Sequence, residues 1–131
     1  MSAQPVHFLA CKIFEGIAAG SGKVRNQFMD YGLHSKPKKL TSTLQAEIDA
    51  IAEPTLIVLG YGLCGNGLHG IKAGKHTLVI PRADDCVAFF MGSRDRYMQE
   101  FHANPATYYL TKGWLEVGTD PLSEYETYLE K

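Results

Sequence analysis

Long apolar runs are missing from this chain. None approaches the ~20 residues needed to cross a bilayer, and the first ten residues hold no basic stretch leading into an apolar core, as a secretory leader would. An excess of charge of one sign is missing too. The 13 lysines and arginines stand against 14 acidic residues, and apart from Lys36, Lys38 and Lys39 the cations are scattered, so there is no electrostatic footprint for nucleic acid. Cysteine is scarce: there are three, far apart and without a paired C-x-x-C, which excludes the dense disulfide framework of a small secreted domain and the pattern of a zinc ribbon. Internal repeats and low-complexity segments are absent as well. These absences leave a soluble, cytoplasmic protein without nucleic-acid or membrane partners. At 131 residues a single domain spanning 1–131 can bury roughly two thirds of its unfolded surface.

What is present centres on Thr55–Ile71, TLIVLGYGLCGNGLHGI. Residues 55–59 form a short β-branched-rich run suited to a parallel strand covered on both faces. Gly60, Gly62, Gly65, Gly67 and Gly70 follow, a loop whose backbone can bring N–H groups close to a ligand, with Cys64 inside it. Val6–Ala10 and His76–Ile80 read as two further strands, adjacent and parallel to the first. Gln27–Tyr31 is a poorer one, and Thr107–Leu110 a last one. Leu40, Leu44, Ile48 and Ile51 fall at helical spacing, and Ser42 with Gln45 reads as a capping box. Residues 12–22 allow a turn or two of helix, weakened by glycines. Asp84 or Asp85 can cap a helix that ends at Gly92, and Ser93 the next, where Tyr97, Met98 and Phe101 face inward. Asp120 and Pro121 start a final helix carrying Leu122, Tyr125 and Leu129 on one face. Strands alternating with helices predict an α/β, Rossmann-like domain with a mostly parallel sheet and helices on both faces.

In such sheets ligands gather beyond the carboxyl ends of the strands. Cys11, Cys64 and Cys86 each follow a predicted strand, so all three thiols can meet at one edge, although burial as small hydrophobes is the plainer role for any one of them. Each has a local reason to ionise: Cys64 in the glycine loop, Cys86 in a helix's first turn, Cys11 beside Lys12. Three thiolates suit a soft metal. Zinc with an open fourth position or an iron–sulfur cluster with one free iron both fit. Gly60, Gly62 and Gly65 also spell G-x-G-x-x-G. The short, glycine-interrupted segment that follows leaves little room for the helix a dinucleotide site needs, so their cofactor role is taken as backing the metal loop.

Other polar residues suggest lesser roles. His69, five residues after Cys64, can serve as base or fourth ligand, while His34 and His102 are weaker candidates. Arg82 with Asp84 and Asp85 reads either as an ion pair and helix cap or as a device that orients a substrate. Tyr108, Tyr109 and Trp114 read first as core or interface aromatics. Two alternatives to the metal stand open. One is a metal-free enzyme with Cys64 as nucleophile and His69 or His34 as base. The other is a non-catalytic binding or assembly module that uses the Ser35–Lys39 loop or exposed aromatics, so whether the chain is an enzyme stays open.

The segments LACKIFE, GYGLCGNGLHGI, IPRADDC, GSRDRY and YYLTKGW resemble an uncharacterised bacterial and archaeal family, the domain of unknown function numbered 1638, over nearly the whole chain. Members are usually longer, so the resemblance implies a C-terminal part that can complete a site and whose loss leaves apolar surface for homo-oligomer formation. Members are common in organisms with corrinoid-dependent one-carbon metabolism. The resemblance therefore implies a metal site linked to methyl or sulfur chemistry, with a small thiol or methyl-group substrate, and tilts the choice from zinc toward iron–sulfur.

Overall fold

A computed structural model describes residues 5–15, 23–117 and 121–131, apart from the side chains of His34, Cys64 and Val117. Among these residues four strands, β1 (Val6–Cys11), β2 (Val24–Met29), β3 (Leu56–Gly60) and β4 (Thr77–Val79), form one sheet in the order β2-β1-β3-β4, all parallel. Five described helices accompany them: α1 (Pro37–Ala50), α2 (Val87–Met91), α3 (Arg94–Ala103), α4 (Lys112–Val117) and α5 (Pro121–Leu129). The chain is thus an α/β protein with the three expected strands adjacent and parallel. No described helix is long and apolar enough to cross a membrane.

The register explains the two faces. Leu9 lies opposite Gln27 on one side and Leu59 on the other, so His7, Leu9, Cys11, Ile57, Leu59 and Tyr61 share a face, because alternate residues of a strand point the same way. α1 covers that face with Leu40, Leu44 and Ile48, of which Leu44 and Ile48 are fully buried together with Leu9, Ile57 and Leu59. Each such side chain contributes about 1.5–3 kcal/mol relative to exposure. A polar strut crosses the same layer: His7 Nε2 donates to Gln27 Oε1 at 2.9 Å and Gln27 Nε2 donates to Glu47 Oε2 of α1 at 2.7 Å. Burial first of all holds the His7 imidazole below its ordinary pKa, which favours the neutral ring this strut uses. On the opposite face Phe8 meets Phe14 and Phe28 edge-on, and Phe14 stacks on Phe90 of α2 at 5.0 Å.

Several local expectations are corrected. α1 begins at Pro37, not at a Ser42 capping box. Pro37 lacks only an N–H the first turn leaves unpaired, and Ser42 bonds back to the Lys39 carbonyl from inside the helix. The Lys38–Lys39 stretch is therefore helix rather than loop, and the preceding Tyr31–Ser35 is a 3₁₀ turn whose Asp30 cap accepts from Gly32 N–H at 2.7 Å. β2 starts earlier than expected and stops at Met29, where Asp30 begins that cap. Residues 107–110 form no strand: Thr107 closes a turn on Asn104 and the segment runs on irregularly into α4. After Cys11 the chain makes only the 3₁₀ turn Lys12–Phe14, and the rest of the expected helix, residues 16–22, lies outside the described residues. Ser93 caps α3 and Gly92 stops α2 at φ 89°, both as expected, but Phe101 is exposed rather than inward. The apolar residues of α5 are exposed as well.

One close approach governs how the loops pack. A Cβ at Gly62 would come within 2.5–2.9 Å of the backbone of Asp85, so only glycine lets the segment after β3 lie against the segment before α2. Replacing Gly62 with alanine is expected to cost about 1–3 kcal/mol in urea unfolding through overpacking. A Gly62→Ala protein of unchanged stability would show that the two segments do not touch.

Candidate functional site

With β2 on one side of β1 and β3 on the other, the chain leaves β1 and β3 in opposite directions, and a crevice opens between their carboxyl ends. A cavity of about 210 Å³ sits there. Cys11, the last residue of β1, lines it from one side, and Cys86, directly before α2, from another. Its floor is the glycine loop, where Gly60, Gly62, Gly65 and Gly67 all line the cavity. Leu63 N–H donates to the Ala83 carbonyl at 2.8 Å, and with the Gly62–Asp85 approach this bond brings Cys86 to the loop. Cys64 opens the 3₁₀ turn Cys64–Asn66, in which Gly65 takes φ 78°, a left-handed conformation natural to glycine.

The two described thiols differ. Cys11 is 6% exposed. Burial pushes its thiol above the ordinary value, the N–H groups of Ile13 and Lys12 pull it back, and the charge of Asp30 pushes it up again. Burial therefore works against the ionisation expected beside Lys12, whose own side chain is exposed. A coordinated metal ion would deprotonate such a thiol outright. Cys86 is half-buried, and next to it Asp85 Oδ1 accepts from Val87 N–H at 2.9 Å.

Apolar residues make the walls. Ile13, Leu40 and Trp114 line the cavity. Trp114 is held by Tyr31, ring to ring at 6.0 Å, and by its backbone N–H, which donates to Thr111 Oγ1 at 3.1 Å. Gly113 lies against the Ile13 carbonyl, an approach that a Cβ would block, and so seats α4 at the site. Tyr61 also lines it. Its hydroxyl is buried, finds no hydrogen-bond partner among the described residues, and is kept protonated first by burial and then by Cys11 and Asp30. Among the described lining residues there is no lysine, arginine or histidine.

The sequence candidates divide accordingly. Cys11 and Cys86 meet at one cavity, with the backbone around Cys64 as its floor, while the Cys64 side chain lies outside the described residues. Gly60, Gly62 and Gly65 are not followed by an α-helix, since residues 67–76 run through turns to β4, so the loop lacks the helix N-terminus of a pyrophosphate site. His69 is exposed and lines a separate hollow with Thr41, Gln45 and Asn66. Asp84 pairs with Arg94 at 2.9 Å on the surface, and Arg82 is exposed, away from the cavity lining. His102 is exposed, and the His34 side chain is outside the described residues. No described His, Cys, Asp and Glu side chains gather in a group of three that could hold a metal.

Tyr31 and Tyr61 line the cavity without having been singled out for a site; Asp85, read with Arg82 and Asp84 as a helix cap or substrate-orienting group, and Trp114, read first as a core or interface aromatic, line it too. Tyr61 was legible, because it continues the inward alternation of Ile57 and Leu59. Trp114 was not, since nothing in its surroundings marks the fold-back of α4.

A parallel α/β sheet with a thiol-bearing cavity at its switch point is the class the fold and site define. The family model described as protein of unknown function (DUF1638) matches residues 28–131, and the chain belongs to that family. No curated protein and no solved structure matches it. The matched span holds Cys64, Cys86 and the glycine loop, whereas Cys11 precedes it. Half-exposed Cys86 is expected to react with iodoacetamide at neutral pH well before Cys11. Cys11 labelling should keep accelerating as pH rises past the ordinary thiol value of 9.0, because the thiolate is the nucleophile. Equal rates for the two at pH 7, followed by peptide mapping, would contradict this electrostatic account.

Proposed function

We propose that this chain is a metal-binding α/β protein in which Cys11, Cys64 and Cys86 hold one soft metal centre, an iron–sulfur cluster or a zinc ion, with its remaining position facing the cavity. The observation that supports this reading most is that the thiols of Cys11, at the end of β1, and Cys86, directly before α2, share one cavity whose floor is the loop carrying Cys64. The chemistry of the donors fits. Sulfur ligands suit iron–sulfur clusters and zinc, and N–H groups of a glycine loop offset thiolate charge. When bound, the metal would supply Lewis acidity or electron transfer at that position.

The chain's own residues would set the conditions there. Cys11 gives up a proton that burial otherwise makes it keep, so metal affinity rises with pH. Ile13, Leu40 and Trp114 limit water around the thiols. Iron–sulfur remains the slightly favoured choice on the family association, with a small thiol or methyl-group substrate as its partner. The alternative with Cys64 as a metal-free nucleophile has its candidate base His69 in the other hollow.

Metal analysis and absorption spectroscopy on protein purified without oxygen test the proposal. A broad, oxygen-sensitive band near roughly 400 nm would identify a cluster, and about one colourless zinc per chain the ion. Replacing any one of the three cysteines with serine is expected to weaken retention at least about tenfold. Full metal content in Cys11→Ser and Cys86→Ser, or metal-free protein from oxygen-free growth in metal-replete medium, would refute it.

A further inference from the structure

The same cavity carries information about what enters it. Its lining is glycine backbone, apolar side chains, the tyrosines Tyr31 and Tyr61 and two thiols, and its one formally charged described residue is Asp85. That carboxylate is already engaged, since Oδ1 accepts from Val87 N–H at 2.9 Å and the Tyr97 hydroxyl lies close by. A ligand cation would trade its hydration for one carboxylate that is already hydrogen-bonded, and a ligand anion would meet that carboxylate with no lysine, arginine or histidine to offset it. Desolvating an unpaired charge is costly. Phosphorylated and carboxylate substrates are the wrong chemistry for these walls. At about 210 Å³ the space exceeds a cavity of roughly 150 Å³ known to take benzene, which sets a scale of one aromatic ring or a branched alkyl chain with a short substituent.

The geometry points to a binding site for a small uncharged, mainly apolar molecule, packed between Leu40, Ile13 and Trp114 and reaching toward the thiols. Trp114 is the wall that decides what fits. It is presented by a short helix seated through Gly113 on the Ile13 carbonyl, and its ring is braced by Tyr31. The inference deepens the metal reading by naming the class of molecule that its open position would face. It rests on that reading only for the purpose of the site, because apolar packing in the cavity does not need the metal.

Trp114 is the chain's single tryptophan, so its indole N–H gives one resolved signal in a ¹H–¹⁵N spectrum. The probes are ethylbenzene, benzoate and benzylamine, matched in size and differing in charge, titrated into chelator-treated full-length protein. Ethylbenzene is expected to shift the Trp114 signal saturably, with further shifts at Ile13, Leu40 and the loop from Gly60 to Gly67. Benzoate and benzylamine should each bind at least about tenfold more weakly. Trp114→Ala should weaken ethylbenzene binding at least about fivefold by calorimetry. If that variant does not fold, the shift map of the unchanged protein decides.

No saturable shift from ethylbenzene, shifts centred elsewhere, or binding of either charged probe equal to or tighter than ethylbenzene would overturn the inference. Because the titrations use chelated protein, their failure is distinct from failure to find metal. Metal without apolar binding defeats only the ligand inference, and apolar binding without metal defeats only the metal reading.

Discussion

The packing of Gly62 against the backbone of Asp85 is the constraint on which the site depends. Without a Cβ at that position, two loops that are distant in sequence lie in van der Waals contact, and the Leu63–Ala83 hydrogen bond locks them. The consequence is chemical. Cys86 is brought to the end of a crevice whose other side is already fixed by Cys11 at the end of β1. A substituent at Gly62 would separate the loops and unmake the cavity before it touched any functional group.

The sheet explains why the crevice lies where it does. β1 pairs with both β2 and β3 in parallel, so the chain diverges at its carboxyl end, and divergence leaves a gap that side chains from later elements must line. α1 closes one side through Leu40, and α4 brings Trp114 from far along the chain. Both are apolar contributions. The cavity thus combines soft sulfur donors with dry walls, a pairing that strengthens electrostatic interactions inside and makes uncompensated charge expensive.

Much of this was legible in the sequence. Short apolar runs marked the adjacent strands β1, β3 and β4, and the placement of a cysteine after each pointed to the end of the sheet where Cys11 and Cys86 line one cavity. Helix starts were less legible. Ser42 and Gln45 carry a capping pattern but sit inside α1, because Pro37 nucleates the first turn five residues earlier and tertiary burial of Leu40 rewards the extension. The 107–110 run has strand-forming residues yet no neighbouring strand among the described residues to pair with. The same holds for Cys11, where proximity of Lys12 in sequence says nothing about burial, and burial works against ionisation. Asp84 and Asp85 are adjacent and identical in sequence, but one pairs with Arg94 at the surface and the other turns inward to the cavity.

The central claim is that the thiols of Cys11, Cys64 and Cys86 share one metal, and X-ray absorption at the metal edge tests it most directly, because the fine structure counts the sulfur atoms around the ion. For zinc-loaded protein the account predicts three sulfur neighbours at about 2.3 Å, falling to two in each single cysteine-to-serine variant. A first shell of nitrogen and oxygen alone, or a sulfur count unchanged in Cys11→Ser or Cys86→Ser, would contradict it.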